Sequence, residues 1–367
     1  MNAIDRREPI ALLVILGIVL AYMAVVLASG VVDARQLGSI TWTYFVAALA
    51  MGVVIGTFAF GVLAVRNWPR GGGSAPMPTT LIARWLRDRW RQDRLLGLIV
   101  PLLIFALLIA AFNAFKQFIL MRLGFGYDPI LAEIDRTLFF GVDPWRITHA
   151  LLPSPWETFI IDHAYHGWFL PMAGGTVLCA WAPESLRALR VRYLLSYALI
   201  WILIGSLAAM VFPAAGPCFQ PFLVGPGSGF DDLLARLHAE AAVLPGGLEA
   251  LGNQAYLRAA LGQGHIVVGA GMSAMPSVHN ALAVLFALAA FQVGPFVGRV
   301  MTGYAVLIWI GSIHLGWHYA IDGIVAALLT WLIWRFAGWA TDRLLAQPSR
   351  RGDRVSISST GKLVETI

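Results

Sequence analysis

Near the C-terminal end of the chain stands "HLGWHYAID", where His314, His318 and Asp322 follow one another at four-residue intervals. Earlier, "MPSVHNA" places Ser277 and His279 just ahead of an apolar run. On a helix, residues four apart share a face, so His318 and Asp322 would meet. A carboxylate on one imidazole nitrogen fixes the tautomer and frees the other nitrogen as nucleophile or base. A histidine satisfied by a structural aspartate is the alternative. Pro276 suits the first turn of a helix, and Ser277 suits its start. Such a start offers free N–H groups and the positive end of the helix dipole, a ready site for phosphate. His279 would sit in that first turn, within reach of the same anion. A plain helix cap with an incidental histidine is the alternative there. Taken together, an anion site, a proton-donating imidazole and an aspartate-oriented imidazole make a set for phosphoryl transfer. That reaction needs in-line attack, charge stabilisation and protonation of the leaving group.

The elements that must position these residues are apolar helices. The chain has 367 residues, 59% hydrophobic and 13% charged, with a mean hydropathy of +0.73. Such a composition excludes an ordinary soluble domain. Eight runs approach the length of a bilayer crossing: Pro9 to Ser29, Thr41 to Val65, Leu95 to Leu120, Phe159 to Trp181, Tyr193 to Phe212, Asn280 to Val293, Met301 to Leu315, and Ala320 to Ala340. In lipid they must be helices, because unpaired backbone groups are costly there. The expected fold is all-α, a polytopic helical membrane protein of about eight transmembrane helices. Residues 1–94 would hold two helices and a basic linker, 95–340 a six-helix core with a large loop at 213–277, and 341–367 a disordered tail. The first run is too long for a signal h-region and lacks a clear cleavage site, so it is expected to remain as an anchor. "RNWPRGGGSAPMPTT" reads as a flexible linker, and "IARWLRDRWRQDR" as a basic interfacial helix. "FDDLLARLHAEAAVL" and "LEALGNQAYLRAALG" read as two short amphipathic helices within the large loop. Cys179 and Cys218 have no metal-type spacing and are not expected to pair.

Alternate loops divide the Lys and Arg residues 19 to 6, with Lys116 inside the third run. By the positive-inside rule both termini are cytoplasmic, and the suggestive residues gather at the extracytoplasmic face of an inner or plasma membrane. The net charge of +6 then reflects topology and anionic headgroups, not nucleic acid.

"MPSVHNA" together with "HLGWHYAID" resembles the type-2 phosphatidic acid phosphatase superfamily, which shares its helical core with vanadium haloperoxidases. The family motifs are K-x6-R-P, P-S-G-H and S-R-x5-H-x3-D. "VFPAAGPCF" is similar to the branch that includes inositol phosphorylceramide synthases. The resemblance spans roughly Leu95 to Ala340. It implies that His318 attacks phosphorus to form a phosphohistidine, that Asp322 orients it, and that His279 handles the leaving-group proton. It also implies that Ser277 and nearby amides hold phosphate oxygens, and that no metal or other cofactor is needed. The substrate would be a lipid phosphate in the membrane, and the acceptor water or an alcohol.

Two departures matter. The arginine expected six residues before His318 is Ser312, and "KQFILMRLG" offers Lys116 and Arg122 one residue short of the first motif. Phosphate still needs cations. Lys116, one of two lysines in the chain, is a candidate ligand, with snorkelling to the interface as its alternative. Arg122 and Arg136 are further candidates, with a surface role as theirs. His163 and His166 of "FIIDHAYHGWF" would line the pocket or serve structurally, and His314 is a candidate for the place the arginine leaves. One rival is a metal face made by His314, His318 and Asp322. It lacks an H-E-x-x-H glutamate and leaves P-S-V-H unexplained. A transporter or scaffold is the second rival, but a proton relay needs polar residues at mid-membrane depth, and few are present.

Overall fold

The computed structural model describes residues 7–66, 77–91, 95–225 and 227–346. The expected linker and the expected disordered tail fall mostly outside the described residues, and the tail's first residues, 341–345, are helical rather than disordered. Among those residues every regular element is helical.

The first pair is α1 (Arg7–Ala28) and α2 (Ala34–Arg66), followed by α3 (Pro78–Arg91). Then come α4 (Leu95–Ala114), α5 (Asp128–Leu138), α6 (Pro144–Leu151), α7 (Pro155–His166), α8 (Phe169–Trp181) and α9 (Arg187–Leu199). The two helices expected in the large loop are present as α10 (Asp231–Val243) and α11 (Glu249–Ala259). The chain closes with α12 (Val278–Val293), α13 (Pro295–His314) and α14 (Ala320–Leu345).

Among the described residues six helical segments are long and apolar enough to cross a bilayer. They are α1, α2, α4, the α9 segment, α13 and α14, and they make the chain a multi-pass all-α membrane protein. Two expected runs take a different form. Phe159 to Trp181 is not one helix: α7 ends at His166 and α8 begins at Phe169, with Gly167 and Trp168 as the corner. The sixth run is α12, whose 16 residues rise about 24 Å, short of a hydrocarbon core of about 30 Å. Conversely, α13 starts at Pro295, before the expected Met301, and α14 continues past Ala340 to Leu345.

The most enclosed of the long helices is α4. It packs against α1, α2 and α8, while α12 packs between α13 and α14. The N-terminal pair is bonded to the rest of the bundle. Tyr22 and Ser206 hydroxyls meet at 2.8 Å, Tyr44 donates to Asn113 Oδ1 at 3.2 Å, and Arg190 pairs with Glu8. Helix α3 docks by Trp85, stacked on Trp181 at 4.4 Å. Cys179 and Cys218 are both buried free thiols.

Two of the long helices are followed by π-helical turns. After α4 the chain takes a π-turn at Phe115–Ile119, and after α9 a longer one at Ile200–Ala208. An extra residue per turn rotates the side chains that follow, and such turns often accompany functional sites. Here the first contains Lys116 and the second Trp201, and both residues line one cavity.

Candidate active site

His318 sits in the turn between α13 and α14, not on a helix. Gly316 makes that turn with φ +76°, and a Cβ there would lie 2.9 Å from Leu233. A side chain at this position would therefore be strained in both backbone and packing. Two buried aspartates brace the turn from α5. Asp135 accepts from the amides of Ala320 and Ile321 at 2.6 and 2.9 Å, satisfying the free N–H groups that begin α14. Asp128 accepts from the amides of Ala215 and Gly216 at 2.9 and 2.8 Å, and from the Tyr319 hydroxyl at 2.9 Å.

The imidazole has one defined tautomer. His318 Nδ1 lies 2.9 Å from the Ala274 carbonyl and 3.3 Å from Asp322 Oδ2. A carbonyl can only accept, so Nδ1 carries the proton and Nε2 keeps its lone pair. Asp322 is fully buried and also accepts from the Tyr319 amide at 3.0 Å. Its meeting with His318 thus comes from the helix start folding back on the preceding turn, rather than from a shared helical face.

His279 stands in the first turn of α12. Trp168, at the α7–α8 corner, donates from Nε1 to the His279 carbonyl at 3.1 Å and packs on its ring at 4.1 Å. The Tyr165 ring also stacks on His279, at 5.2 Å. The rings of His279 and His318 are 6.1 Å apart. At that spacing both rings can touch one group bound in the space they border.

Both rings border a cavity of about 420 Å³. Its walls are mainly apolar and aromatic, including Phe112, Trp168, Met172 and Trp201, with Asn253 and Tyr256 of α11 and Tyr44 of α2 among the polar groups. Lys116 and His166 also line it. Gly271, at φ +99°, presses on the lysine so closely that a Cβ would stand 2.8 Å from Lys116 Cγ. The segment around Gly271 is held to α4 by side-chain amides. Asn113 accepts from Gly269 at 3.0 Å, and Gln117 both accepts from and donates to Val267, at 3.0 and 2.8 Å.

The structure therefore brings His318, Asp322, His279, Lys116 and His166 to one end of the bundle. Five other candidates lie off the cavity wall: Arg136 pairs with Glu133 and Asp143, His163 lies 3.8 Å from Glu249, and the remaining three are Ser277, Arg122 and His314. Ser277 is fully buried, and its Oγ accepts from the Asn280 amide at 3.3 Å and side chain at 3.0 Å as the cap of α12. It does not line the cavity, and Pro276 precedes this cap rather than entering the first turn. Arg122 is exposed and likewise absent from the walls. His314 is on the far side of the Gly316 turn. It is fully buried, stacked on His149 at 3.7 Å, with Nε2 and Nδ1 on the Thr158 and Thr148 hydroxyls at 2.9 and 3.2 Å. The three-ligand face of His314, His318 and Asp322 required a continuous helix, and the turn removes it.

His314 instead gathers with His149 and Glu240, their donor atoms within 4.8 Å of one another. Burial pushes His149 below the usual histidine range. Arg236 already pairs with Glu240 at 2.8 Å, and stacked parallel rings direct their nitrogens along parallel lines rather than towards one point. The cluster reads as the tie between α6, α10 and α13.

Asp128, Asp135, Asp162, Asn113 and Tyr44 escaped sequence reasoning. "DPILAEID" offered a signal: its two aspartates share the apolar face of an amphipathic helix. Burial raises Asp135 from 3.8 to about 6, against the opposing pull of its two amide bonds. The folded protein then holds this proton more tightly than the unfolded chain. That contribution to stability is full below about pH 4 and is lost as pH rises through about 6. The stability difference between wild type and Asp135→Asn should accordingly fall by roughly 2–3 kcal/mol across that interval. Unfolding of the detergent-solubilised proteins at the two pH values measures it, and an unchanged difference would contradict it.

A family model of the PAP2 superfamily matches residues 129–336. The chain belongs to the PAP2 superfamily. The match takes in His166, His279, His318 and Asp322, and leaves Tyr44, Asn113 and Lys116 outside it. Comparison with curated proteins and with solved structures returned no match.

Proposed function

We propose that the chain is a membrane phosphoesterase or phosphotransferase that acts on a lipid phosphate through a phosphohistidine at His318, without a metal ion. The observation that carries this reading is the pinned His318 ring, with Nδ1–H held by Ala274 and Asp322 while Nε2 is left for the cavity. Nε2 attacks phosphorus, the bond to the lipid oxygen breaks, and His279 protonates that oxygen. In the second step His279 takes the proton of the incoming hydroxyl as its oxygen displaces His318 from phosphorus. Lys116 faces the phosphate oxygens, and the apolar walls take the adjoining lipid chain. The Lys and Arg distribution supports an extracytoplasmic site, both termini being cytoplasmic.

Water as acceptor gives a phosphatase. Transfer to an alcohol, in the manner of inositol phosphorylceramide synthases, is supported by Asn253 and Tyr256, which add hydrogen-bonding groups to the cavity wall. Phosphate release from a panel of lipid phosphates, with and without chelator and with added lipid or polyol acceptors, tests the reading. Turnover that resists chelator supports it. Turnover abolished by chelator, or absent with every donor and acceptor, rejects it.

Asp322→Asn should lower turnover by about 10²-fold, less than loss of the nucleophile. The Ala274 carbonyl still holds the tautomer, and what is lost is the charge facing the imidazolium. A loss as deep as that of His318→Ala would show that Asp322 does more than balance that charge.

A further inference from the structure

The cavity has an unexplained asymmetry of charge. A phosphate monoester brings up to two negative charges into walls that are mostly apolar, and such a group needs matching cations. Among the described residues lining the cavity, Lys116 is the one lysine or arginine. Ser312, where an arginine was expected, is fully buried and bonded to Asn280 and to the Trp309 carbonyl. It can contribute no charge.

His166 is built differently from the other cavity imidazoles. Its Nδ1 lies 2.9 Å from the Asp162 carbonyl and 3.0 Å from Asp162 Oδ1, with Glu249 Oε2 of α11 at 3.7 Å. Nδ1 must therefore donate, and Nε2 has no hydrogen-bond partner among the described residues. An ionised carboxylate at this range favours the charged form of its neighbour, and His166 has two. Asp162 is itself fixed, since it is fully buried and accepts from the amides of Glu249 and Ala250 at 2.6 and 3.1 Å. The titratable groups around this end of the cavity are thus Asp162 on α7, Glu249 on α11 (also 3.8 Å from His163), Lys116 beyond α4, His279 on α12, and His318. Tyr165 lies beside it, its ring 5.9 Å from His166 and 5.2 Å from His279.

We propose that His166 is a phosphate-binding residue, which as an imidazolium held by Asp162 and Glu249 supplies a further positive charge to the cavity alongside Lys116. The inference rests on the phosphoryl-transfer reading of the same site. It makes phosphate affinity depend on a titrating group rather than on a permanent one.

The test uses the purified full chain in detergent and radiolabelled inorganic phosphate as the probe. Binding is measured at about pH 6 and about pH 9 for wild type, His166→Gln and His166→Arg, with His166→Lys as a second cationic variant should arginine not fold. Comparing each protein with the arginine variant at the same pH cancels the titration of phosphate itself. Wild type and His166→Arg are expected to bind within about threefold of each other at the lower pH, and wild type to be about tenfold weaker at the higher. His166→Gln is expected to be about tenfold weaker than His166→Arg at both. A glutamine variant that binds like wild type at the lower pH overturns the proposal, because a purely structural histidine would give that result. Lipid phosphate turnover is followed on the same wild-type preparation. Phosphate binding and turnover that are intact, but indifferent to residue 166, would sink this inference alone. A wild type that neither binds phosphate nor turns over any donor would sink the phosphoryl-transfer reading with it.

Discussion

Replacing His318 with alanine is expected to lower turnover of a lipid phosphate by roughly 10⁴-fold or more, the scale seen when a covalent nucleophile is removed. The effect should fall on turnover and leave affinity for the donor nearly unchanged, since Lys116, His279 and the aromatic walls remain. His318 is 5% exposed and its neighbours are held independently by Asp128 and Asp135, so the variant should fold. Steady-state kinetics on protein with wild-type thermal stability checks this. A residual rate within about tenfold of wild type would mean that phosphorus is attacked by something other than His318.

The second large effect belongs to His279. His279→Ala should cost about 10³-fold with a lipid phosphate, whose alkoxide leaving group needs a proton. With an aryl phosphate, whose leaving group departs as a stable anion, the loss should shrink to about tenfold. The ratio of the two losses is the diagnostic quantity, because misfolding or lost phosphate binding would affect both donors alike. Equal losses would move His279 from proton transfer to mere packing between Trp168 and Tyr165.

How far the site could be read from sequence varies by residue. The pairing of His318 with Asp322 was legible because both lie within one local stretch, although the contact arises at a helix start. Ser277 was legible as a cap for the same reason, but its capping role uses the hydroxyl that had been assigned to phosphate. His314 misled, since a four-residue spacing says nothing of a turn made by one glycine at positive φ. The corner at Gly167 and Trp168 likewise hid inside an apolar run that reads as one helix. Harder still were Asp128 and Asp135, whose partners are amides far along the chain. Lys116 entered as a lone charge in a span; that it reaches the cavity depends on a π-turn and on Gly271. The fold class was easier, because hydropathy over about 20 residues reports a bilayer crossing directly. What hydropathy could not supply was where helices break, and in this protein the break beside His279 helps shape the site.

Trapping the covalent intermediate tests the central claim most directly. The protein would be mixed for a single turnover with a lipid phosphate labelled in its phosphoryl group, quenched in base, and digested to locate the label. The account predicts an acid-labile, base-stable phosphoenzyme carried on His318 and missing from His318→Ala. Turnover with no labelled protein, or label on another residue, would contradict it.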